Sequence, residues 1–268
     1  MQIRLGYDIQ FNVWQTVPIV ALLSVHPSRR GFLRGPDRIT VEPDVRTDEY
    51  LDSFGNICTR ILAPPGMLRL TNSTVIDDSG LTDAVSLGAR EVPVEELPPE
   101  VLRFLMGSRF CEVDLLSPVA LELFGHLPRG WARVKGVCDW VNSKVTFGYP
   151  FARPTRTALD VFTERIGVCR DFQHLAITFC RALNIPARYA TGYLGDIGVV
   201  VAPSPMDFSA WFEVYLEDRW WTFDARHNIP RIGRVLIGTG LDATDVAITT
   251  SFGSAKLAHF EVVTDEIT

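Results

Sequence analysis

The segment of residues 165–195, RIGVCRDFQHLAITFCRALNIPARYATGYLG, organises the rest of the chain. A thiol, Cys169, stands between a glycine-containing turn and a run whose apolar residues recur at helical spacing. The positions i, i+3, i+4, i+7 and i+11 of this run hold Phe172, Leu175, Ala176, Phe179 and Leu183. Pro186 ends the helix, because it disfavours the α region for the residue before it, and residues 187–193 then predict a strand.

Cys169 therefore lies at a predicted helix N-terminus, where free backbone N–H groups and the helix dipole favour a thiolate. The adjacent Arg170 adds positive charge, so Cys169 is a candidate nucleophile and its own N–H a candidate oxyanion donor. A buried, inert thiol is the alternative, since free cysteine is common in protein cores. We expect Asp171 to cap the helix start. Tyr149 is expected to pack in the core or at its rim, with an oxyanion role as the alternative.

Composition restricts the class of protein. The chain has 268 residues, 47% of them hydrophobic and 22% charged, as expected for one large or two small globular domains. The net charge of −6, with no cluster of basic residues, argues against nucleic acid as a partner. The longest apolar run, residues 17–25, is interrupted by Pro18 and Ser24 and is too short to cross a bilayer. No membrane partner is expected.

The five cysteines are odd in number and widely spaced, without a C-x-x-C pair: Cys58, Cys111, Cys138, Cys169 and Cys180. This usage fits a reducing cytosol better than a disulfide framework or a zinc site. The N-terminal residues 1–11 resemble a strand and lack the apolar core of a signal peptide. We therefore expect a cytoplasmic protein that uses neither a metal nor another cofactor.

The patterning predicts an α+β protein with two domains. Residues 1–90 form a β-sandwich-like domain, with strands expected at 3–11, 19–25, 38–43, 56–62 and 67–75. Residues 91–268 follow a proline-rich linker and form the core domain, with helices expected at 99–106, 117–124, 130–145 and 157–165. Further strands of this domain are expected at 187–193, 207–216, 220–224, 247–252 and 258–263.

Four segments carry a family resemblance: 167–172 (GVCRDF), 180–193 (CRALNIPARYATGY), 207–216 (DFSAWFEVYL) and 220–224 (WWTFD). Together they resemble the core of the transglutaminase-like superfamily. More narrowly, the chain is similar to bacterial transglutaminase-like proteins with an N-terminal β-domain, which are labelled cysteine proteases. The resemblance implies a papain-like core in which the cysteine helix packs on an antiparallel sheet. It also implies a thiol that attacks an amide carbonyl, a histidine that activates the thiol and an aspartate that orients the histidine.

The family's nucleophile corresponds to Cys169 and its aspartate to Asp224, but its histidine corresponds to Ser209. A serine hydroxyl can hydrogen-bond to a thiolate or a water, but it cannot form a thiolate–imidazolium pair near neutral pH. The loss of a general base costs about 10²–10⁴-fold in rate. We expect the catalytic set to be Cys169, Ser209 and Asp224, with weak activity. For Asp224, a structural role at the strand end, paired with Arg226, is the alternative.

Two other histidines are candidates for the missing base. His174 follows Cys169 by five residues, which places it about 140° around a helix and favours a packing role. His227 lies three residues after Asp224, on the opposite face if the strand continues, although a turn after Arg226 would bring it back.

Two functions remain open at this point. The first is an enzyme of the cysteine peptidase, amidase or transglutaminase type that acts on amide bonds by acyl transfer. The second is a catalytically silent binding or scaffold protein that retains the cleft. Both predict a peptide or another amide-bearing molecule as the partner. The oligomeric state is left open.

Overall fold

A computed structural model describes residues 1–201 and 205–267. The strands are β1 (Gln2–Val13), β2 (Val17–Ala21), β3 (Thr40–Glu42), β4 (Thr47–Leu51), β5 (Ile57–Ala63), β6 (Gly66–Asp77), β7 (Thr146–Phe147), β8 (Ile166–Gly167), β9 (Ala187–Tyr193), β10 (Ser209–Leu216), β11 (Arg219–Phe223), β12 (Val235–Gly240), β13 (Thr249–Ser251) and β14 (Ala255–Ile267). The α-helices are α1 (Pro99–Leu102), α2 (Val113–Phe124), α3 (Trp131–Lys144), α4 (Ala158–Glu164) and α5 (Cys169–Ala182). Short 3-10 helices cover Pro27–Phe32, Val94–Glu96, Arg103–Leu105 and Tyr149–Phe151.

Two antiparallel sheets enclose one apolar core in the N-terminal region. Their strand orders are β14-β1-β6-β3 and β13-β2-β5-β4. The alternation of β1 produces this core, because every second side chain of a strand points to the same face. The buried side chains of that face are Ile3, Leu5, Tyr7, Ile9, Phe11 and Val13. They pack with apolar residues of β2, β5 and β6.

Both ends of the chain contribute to these two sheets. Strand β14 pairs with β1 in antiparallel register from Gln2 opposite Ile267 to Val13 opposite Ala255, and β13 pairs with β2. We predict the boundaries 1–90 and 91–268 from composition, and that prediction places the last strands in the core domain. In the structure, those strands complete the N-terminal sheets. Strands β1 and β14 lie at opposite ends of the sequence and pair through backbone hydrogen bonds. No local sequence pattern can therefore predict that they are neighbours.

The second region packs helices against the antiparallel sheet β11-β10-β9-β12. Helix α5 is central: every residue from Asp171 to Arg181 is buried, and the helix contacts α2, α3, α4, β9 and β10. Its apolar face meets aromatic rings of α2 and α3, including Phe124 at 5.2 Å and Trp140 at 5.5 Å from the Phe179 ring. The structure has the predicted α+β fold, in which the helix that begins at Cys169 packs on an antiparallel sheet.

The sequence analysis predicted neither β4 nor β12, and it also missed the two-residue strands β7 and β8. Strand β4 is exposed along its whole length, so its residues show no alternation between apolar and polar. Strand β12 contains Gly238, where an added Cβ would lie 2.9 Å from Leu22 and 3.1 Å from the Asn56 side chain. Close approach of neighbouring side chains requires glycine there, and glycine weakens the local strand signal.

Candidate active site

Cys169 is the first residue of α5, as predicted. The helix start is capped by Asp171, whose buried carboxylate accepts a 2.9 Å hydrogen bond from the backbone N–H of Val168. Gly167 makes this arrangement possible, because a Cβ there would lie 2.7 Å from the Cβ of Asp171. The predicted capping role of Asp171 agrees with this geometry, which holds Cys169 at the open end of the helix.

Arg170 does not contribute its charge to the sulfur in the way we expect from sequence. Its guanidinium donates to the Asp171 carboxylate at 3.2 Å and to the Arg153 carbonyl at 2.7 Å. The nearby positive charge belongs instead to Arg226, which acts to lower the pKa of the thiol. Its guanidinium carbon lies 3.8 Å from the centre of the Phe147 ring.

The thiol of Cys169 is protonated near neutral pH in this structure. Burial raises its pKa to about 11, in spite of the Arg226 charge, and the Asp207 carboxylate contributes to the rise. Our expectation that the helix terminus favours a thiolate is wrong for this structure, because desolvation of the sulfur outweighs the Arg226 charge and the hydrogen bond from the Arg170 backbone. Any attack by Cys169 at neutral pH therefore requires a group that accepts its proton.

Asp224 follows β11 directly and is buried. Its Oδ1 accepts hydrogen bonds from the Gln173 side chain at 3.0 Å and from the backbone N–H groups of Arg226 and His227 at 2.9 and 3.0 Å. Its Oδ2 accepts from Arg234 at 3.0 Å. Burial alone would raise the pKa of Asp224, but the hydrogen bond from His227 and the charge of Arg234 hold it well below its ordinary range. Asp224 is thus an ionised carboxylate in a fixed orientation.

Gln173 is a residue that our sequence reasoning missed. It lies one helical turn after Cys169, and its side chain donates to Asp224 and to the Ala210 carbonyl of β10. It also accepts from the backbone N–H of Ala225 at 3.1 Å. Gln173 therefore ties the nucleophile helix to the two strands that carry Ser209 and Asp224. Its spacing of i+4 from Cys169 is the sequence signal for this role.

His227 does not continue the strand. The chain turns directly after Asp224, and Nδ1 of His227 lies 2.8 Å from Oδ2 of Asp224. Asn228 has a φ of 56°, and its N–H donates to the Asp224 carbonyl at 2.9 Å. On α3, Asn142 donates to the Arg226 carbonyl at 2.6 Å. These contacts produce the turn that the sequence leaves as one of two alternatives.

Cys169, Ser209 and His227 line one pocket of about 150 Å³. Its other described lining residues are Tyr149, Leu194, Asp196, Val201, Pro205, Met206, Asp207, Phe208, Arg226 and Arg231. The parts of the chain that meet there include the start of α5, the start of β10 and the turn after β11. The structure thus brings two of the predicted residues, Cys169 and Ser209, to one pocket, and Asp224 touches it through His227.

Ser209 is the first residue of β10 and is 7% exposed. Its hydroxyl has no hydrogen-bond partner among the described residues. The imidazole that contacts Asp224 belongs to His227 and not to residue 209. The position where the family resemblance places the base is therefore occupied by a small, buried and unpaired hydroxyl.

His174 is enclosed in the core, in agreement with the packing role that its spacing favours. Its ring is fully buried and stacks on Phe110 at 5.0 Å between ring centres. Its Nε2 accepts a hydrogen bond from the backbone N–H of Ala243 at 3.1 Å. Burial lowers the pKa of His174 to about 3, so the ring is neutral. It does not line the pocket of Cys169.

Within residues 1–201 and 205–267, no group of three or more His, Cys, Asp or Glu side chains is arranged to hold a metal ion. In the same ranges, no helix combines the length and the apolar character needed to cross a membrane. All five cysteines are free thiols.

Comparison with known proteins agrees with this geometry. Residues 122–225 match the family described as the transglutaminase-like superfamily. The crystal structure of a "Putative Cysteine Protease" from Cytophaga hutchinsonii is 30% identical, covers 99% of this chain and 90% of its own, and superposes with a TM-score of 0.85. The "Uncharacterized protein ML0607" of Mycobacterium leprae is 26% identical over 240 residues, 87% of this chain and 85% of that protein. The fold, the position of Cys169 and these likenesses lead to one conclusion: the chain belongs to the transglutaminase-like superfamily.

Proposed function

We propose that this protein is a thiol-dependent enzyme that transfers an acyl group from an amide bond through Cys169. The observation that carries the proposal is the meeting of the α5 N-terminus with the start of β10 and the Asp224 turn at one pocket. The likeness to the Cytophaga protein supports the cysteine protease class. A peptide or another amide-bearing molecule is the substrate class.

The reaction follows from the chemistry of a thiol at a helix start. The Cys169 sulfur attacks the carbonyl carbon, the carbonyl oxygen gains negative charge, and the backbone N–H of Cys169 donates a hydrogen bond to it. Collapse of this intermediate expels the amine and leaves a thioester on Cys169. Water then releases an acid, whereas an amine acceptor releases a new amide.

Ser209 and Asp224 have supporting roles in this proposal. The unpaired Ser209 hydroxyl is available to hydrogen-bond to the sulfur or to a water in the pocket. The Asp224 carboxylate is an electrostatic and positioning group. Because the thiol is protonated and residue 209 is not a base, we expect a rate below that of an enzyme with the family's histidine.

The second candidate function is binding without turnover, as a scaffold that keeps the cleft. The serine at position 209 and the raised pKa of Cys169 favour it. In that case the same pocket holds an amide-bearing ligand and Cys169 is dispensable. We also propose that the protein, whether it is the enzyme or the binding protein, is located in the reducing cytoplasm. The five free thiols support this location.

One acylation experiment separates the two functions. The protein is incubated with p-nitrophenyl acetate, and peptide mass spectrometry locates the acetyl thioester while released p-nitrophenolate reports the rate. We expect the acetyl group on Cys169, and loss of the reaction in Cys169→Ser. Cys180→Ser is the matched control, because Cys180 is fully buried in the core. Equal rates in the wild type and Cys169→Ser contradict the enzyme and leave the binding protein. Addition of methylamine then distinguishes transfer to an amine from hydrolysis.

A further inference from the structure

We propose that His227, held by Asp224, is the general base of the Cys169 reaction and replaces the imidazole that position 209 lacks. This inference rests on the proposed function and names the group that moves the proton. Cys169 and His227 come from separate elements, α5 and the turn after β11, and they line the same pocket.

The Asp224 contact determines which nitrogen of His227 is free. Oδ2 of an ionised carboxylate can only accept, so Nδ1 of His227 at 2.8 Å carries the proton. In the neutral ring Nε2 is then the unprotonated nitrogen, and it is the atom that can accept a proton. The His227 side chain is 23% exposed, so the ring is accessible from the pocket.

The ring is also held in place from several directions. Asp224 binds the backbone N–H of His227 with one oxygen and the ring with the other. Gln173 and Arg234 fix that carboxylate in turn, and Arg234 is itself paired with Asp83 at 2.8 Å. A base needs such an orienting partner, because a freely rotating imidazole would seldom face the sulfur.

The serine at position 209 accounts for the contact between Asp224 and an imidazole from outside β10. With serine at the start of β10, no imidazole reaches Asp224 from that strand, and Asp224 binds His227 instead. The other four histidines do not line the pocket. Among the described lining residues, His227 is therefore the sole imidazole.

In this proposal His227 carries the proton from the thiol of Cys169 to the leaving amine. As the bond between the Cys169 sulfur and the carbonyl carbon forms, Nε2 of His227 takes the thiol proton and becomes imidazolium, which Asp224 stabilises. As the bond between carbon and the leaving nitrogen breaks, the imidazolium returns that proton to the amine. In the second half, Nε2 takes a proton from the attacking water and gives it to the departing sulfur.

Several other charged groups face the same pocket and affect how the rate of the Cys169 reaction depends on pH. Asp207 and Asp196 are carboxylates, Arg226 and Arg231 are cations, and all four line the pocket. Burial raises the pKa of Asp207, which makes this carboxylate the competing base. The experiment therefore includes a variant of Asp207.

The test is the rate of Cys169 acetylation by p-nitrophenyl acetate between pH 5 and pH 10, in variants of His227. His227→Asn keeps an amide nitrogen near the position of Nδ1 but removes the base. We expect its rate at pH 7 to fall about tenfold or more. We expect the difference to shrink toward pH 10, where hydroxide ionises the thiol without help. A merely structural role for His227 would lower the rate equally at every pH.

Three further variants complete the test. His259→Asn is the control, because His259 is exposed, contacts Glu261 at 3.5 Å and lies outside the pocket. Asp207→Asn should not lower the rate, and a loss there with no loss in His227→Asn assigns the base to Asp207. Ser209→His in the His227→Asn background should restore the rate at pH 7. That restoration also shows that the variant folds.

The two proposals fail in different ways. If Cys169→Ser reacts like the wild type, the proposed function is wrong. If the reaction depends on Cys169 but His227→Asn keeps the wild-type rate and pH profile, the function stands and His227 is not the base.

Discussion

Two histidines of this chain show how differently the same side chain can be placed around one thiol. His174 lies on the helix that carries Cys169, five residues away, yet it is fully buried against Phe110 and neutral. His227 is 58 positions from Cys169 in the sequence and shares its pocket, paired with Asp224. The histidine that is near Cys169 in the sequence, His174, thus lies in the core. The distant one, His227, reaches the pocket of Cys169 because the chain turns after Asp224. Substitutions at and around these two rings can break or sharpen the contrast.

The largest effect should come from the carboxylate that holds His227. Asp224→Ala removes the partner of Arg234, Gln173 and His227, and it leaves the buried Arg234 cation with Asp83 as its one remaining ion-pair partner among the described residues. We expect the free energy of unfolding to fall by about 3–5 kcal/mol. Urea denaturation followed by circular dichroism measures it. Asp224→Asn keeps the shape and should cost less, and equal stability of Asp224→Ala and the wild type would contradict the network.

The next effect concerns the core histidine. His174→Ala leaves a cavity beside Phe110 and removes the acceptor for the Ala243 N–H. We expect a loss of about 2–4 kcal/mol in the free energy of unfolding. His227→Asn, measured in the same urea experiment, should lose about 1 kcal/mol or less, because its ring is partly exposed. Equal losses of unfolding free energy in His174→Ala and His227→Asn would contradict the different placement of the two rings.

The pH dependence of stability should separate the two rings again. The pKa of His174 is about 3 in the folded protein and about 6.5 in the unfolded chain, so the unfolded chain binds the proton first. Its contribution is complete above pH 6.5 and is lost as the pH falls toward 3, by several kcal/mol at most. Urea midpoints measured from pH 7.5 to pH 4 should fall in the wild type. In His174→Phe they should fall less, and an unchanged slope would refute this assignment.

The smallest effect concerns the charge near the sulfur, where two arginines differ as the two histidines do. Arg226 faces the pocket and lowers the pKa of Cys169, whereas Arg170 is bound to Asp171 and the Arg153 carbonyl. Arg226→Met should reduce the rate of Cys169 alkylation by iodoacetamide at pH 8.5 by about threefold, since surface charges shift a pKa modestly. Arg170→Met should change this rate less.

Peptide mass spectrometry of the alkylated Cys169 gives the rates in that experiment. The same alkylation, measured as a function of pH, tests the pKa of the Cys169 thiol. For the wild type, alkylation should still be rising at pH 10, in line with a pKa of about 11. A plateau below pH 8.5 would mean that the pocket generates a thiolate and that the burial of the sulfur is not the dominant influence.

Much of the fold could be predicted because its signals are local. The apolar spacing of α5, the stop at Pro186 and the strand Ala187–Tyr193 each depend on residues a few positions apart. The cap by Asp171 is a contact between neighbours three residues apart. The position of Cys169 follows from these features, because helix starts are governed by interactions within one turn.

The remainder depends on contacts between distant parts of the chain. Strand β14 pairs with β1, for example at Arg4 and Asp265, which are 261 positions apart in the sequence. Asn142 likewise donates a hydrogen bond to the turn that carries His227. The raised pKa of Cys169 likewise comes from burial by surrounding elements. Sequence alone indicated the family, placed Cys169 at a helix N-terminus and showed that position 209 lacks a histidine. Tertiary structure decided which imidazole meets Asp224 and whether the sulfur is charged, because desolvation and long-range hydrogen bonds exist only once the elements are packed.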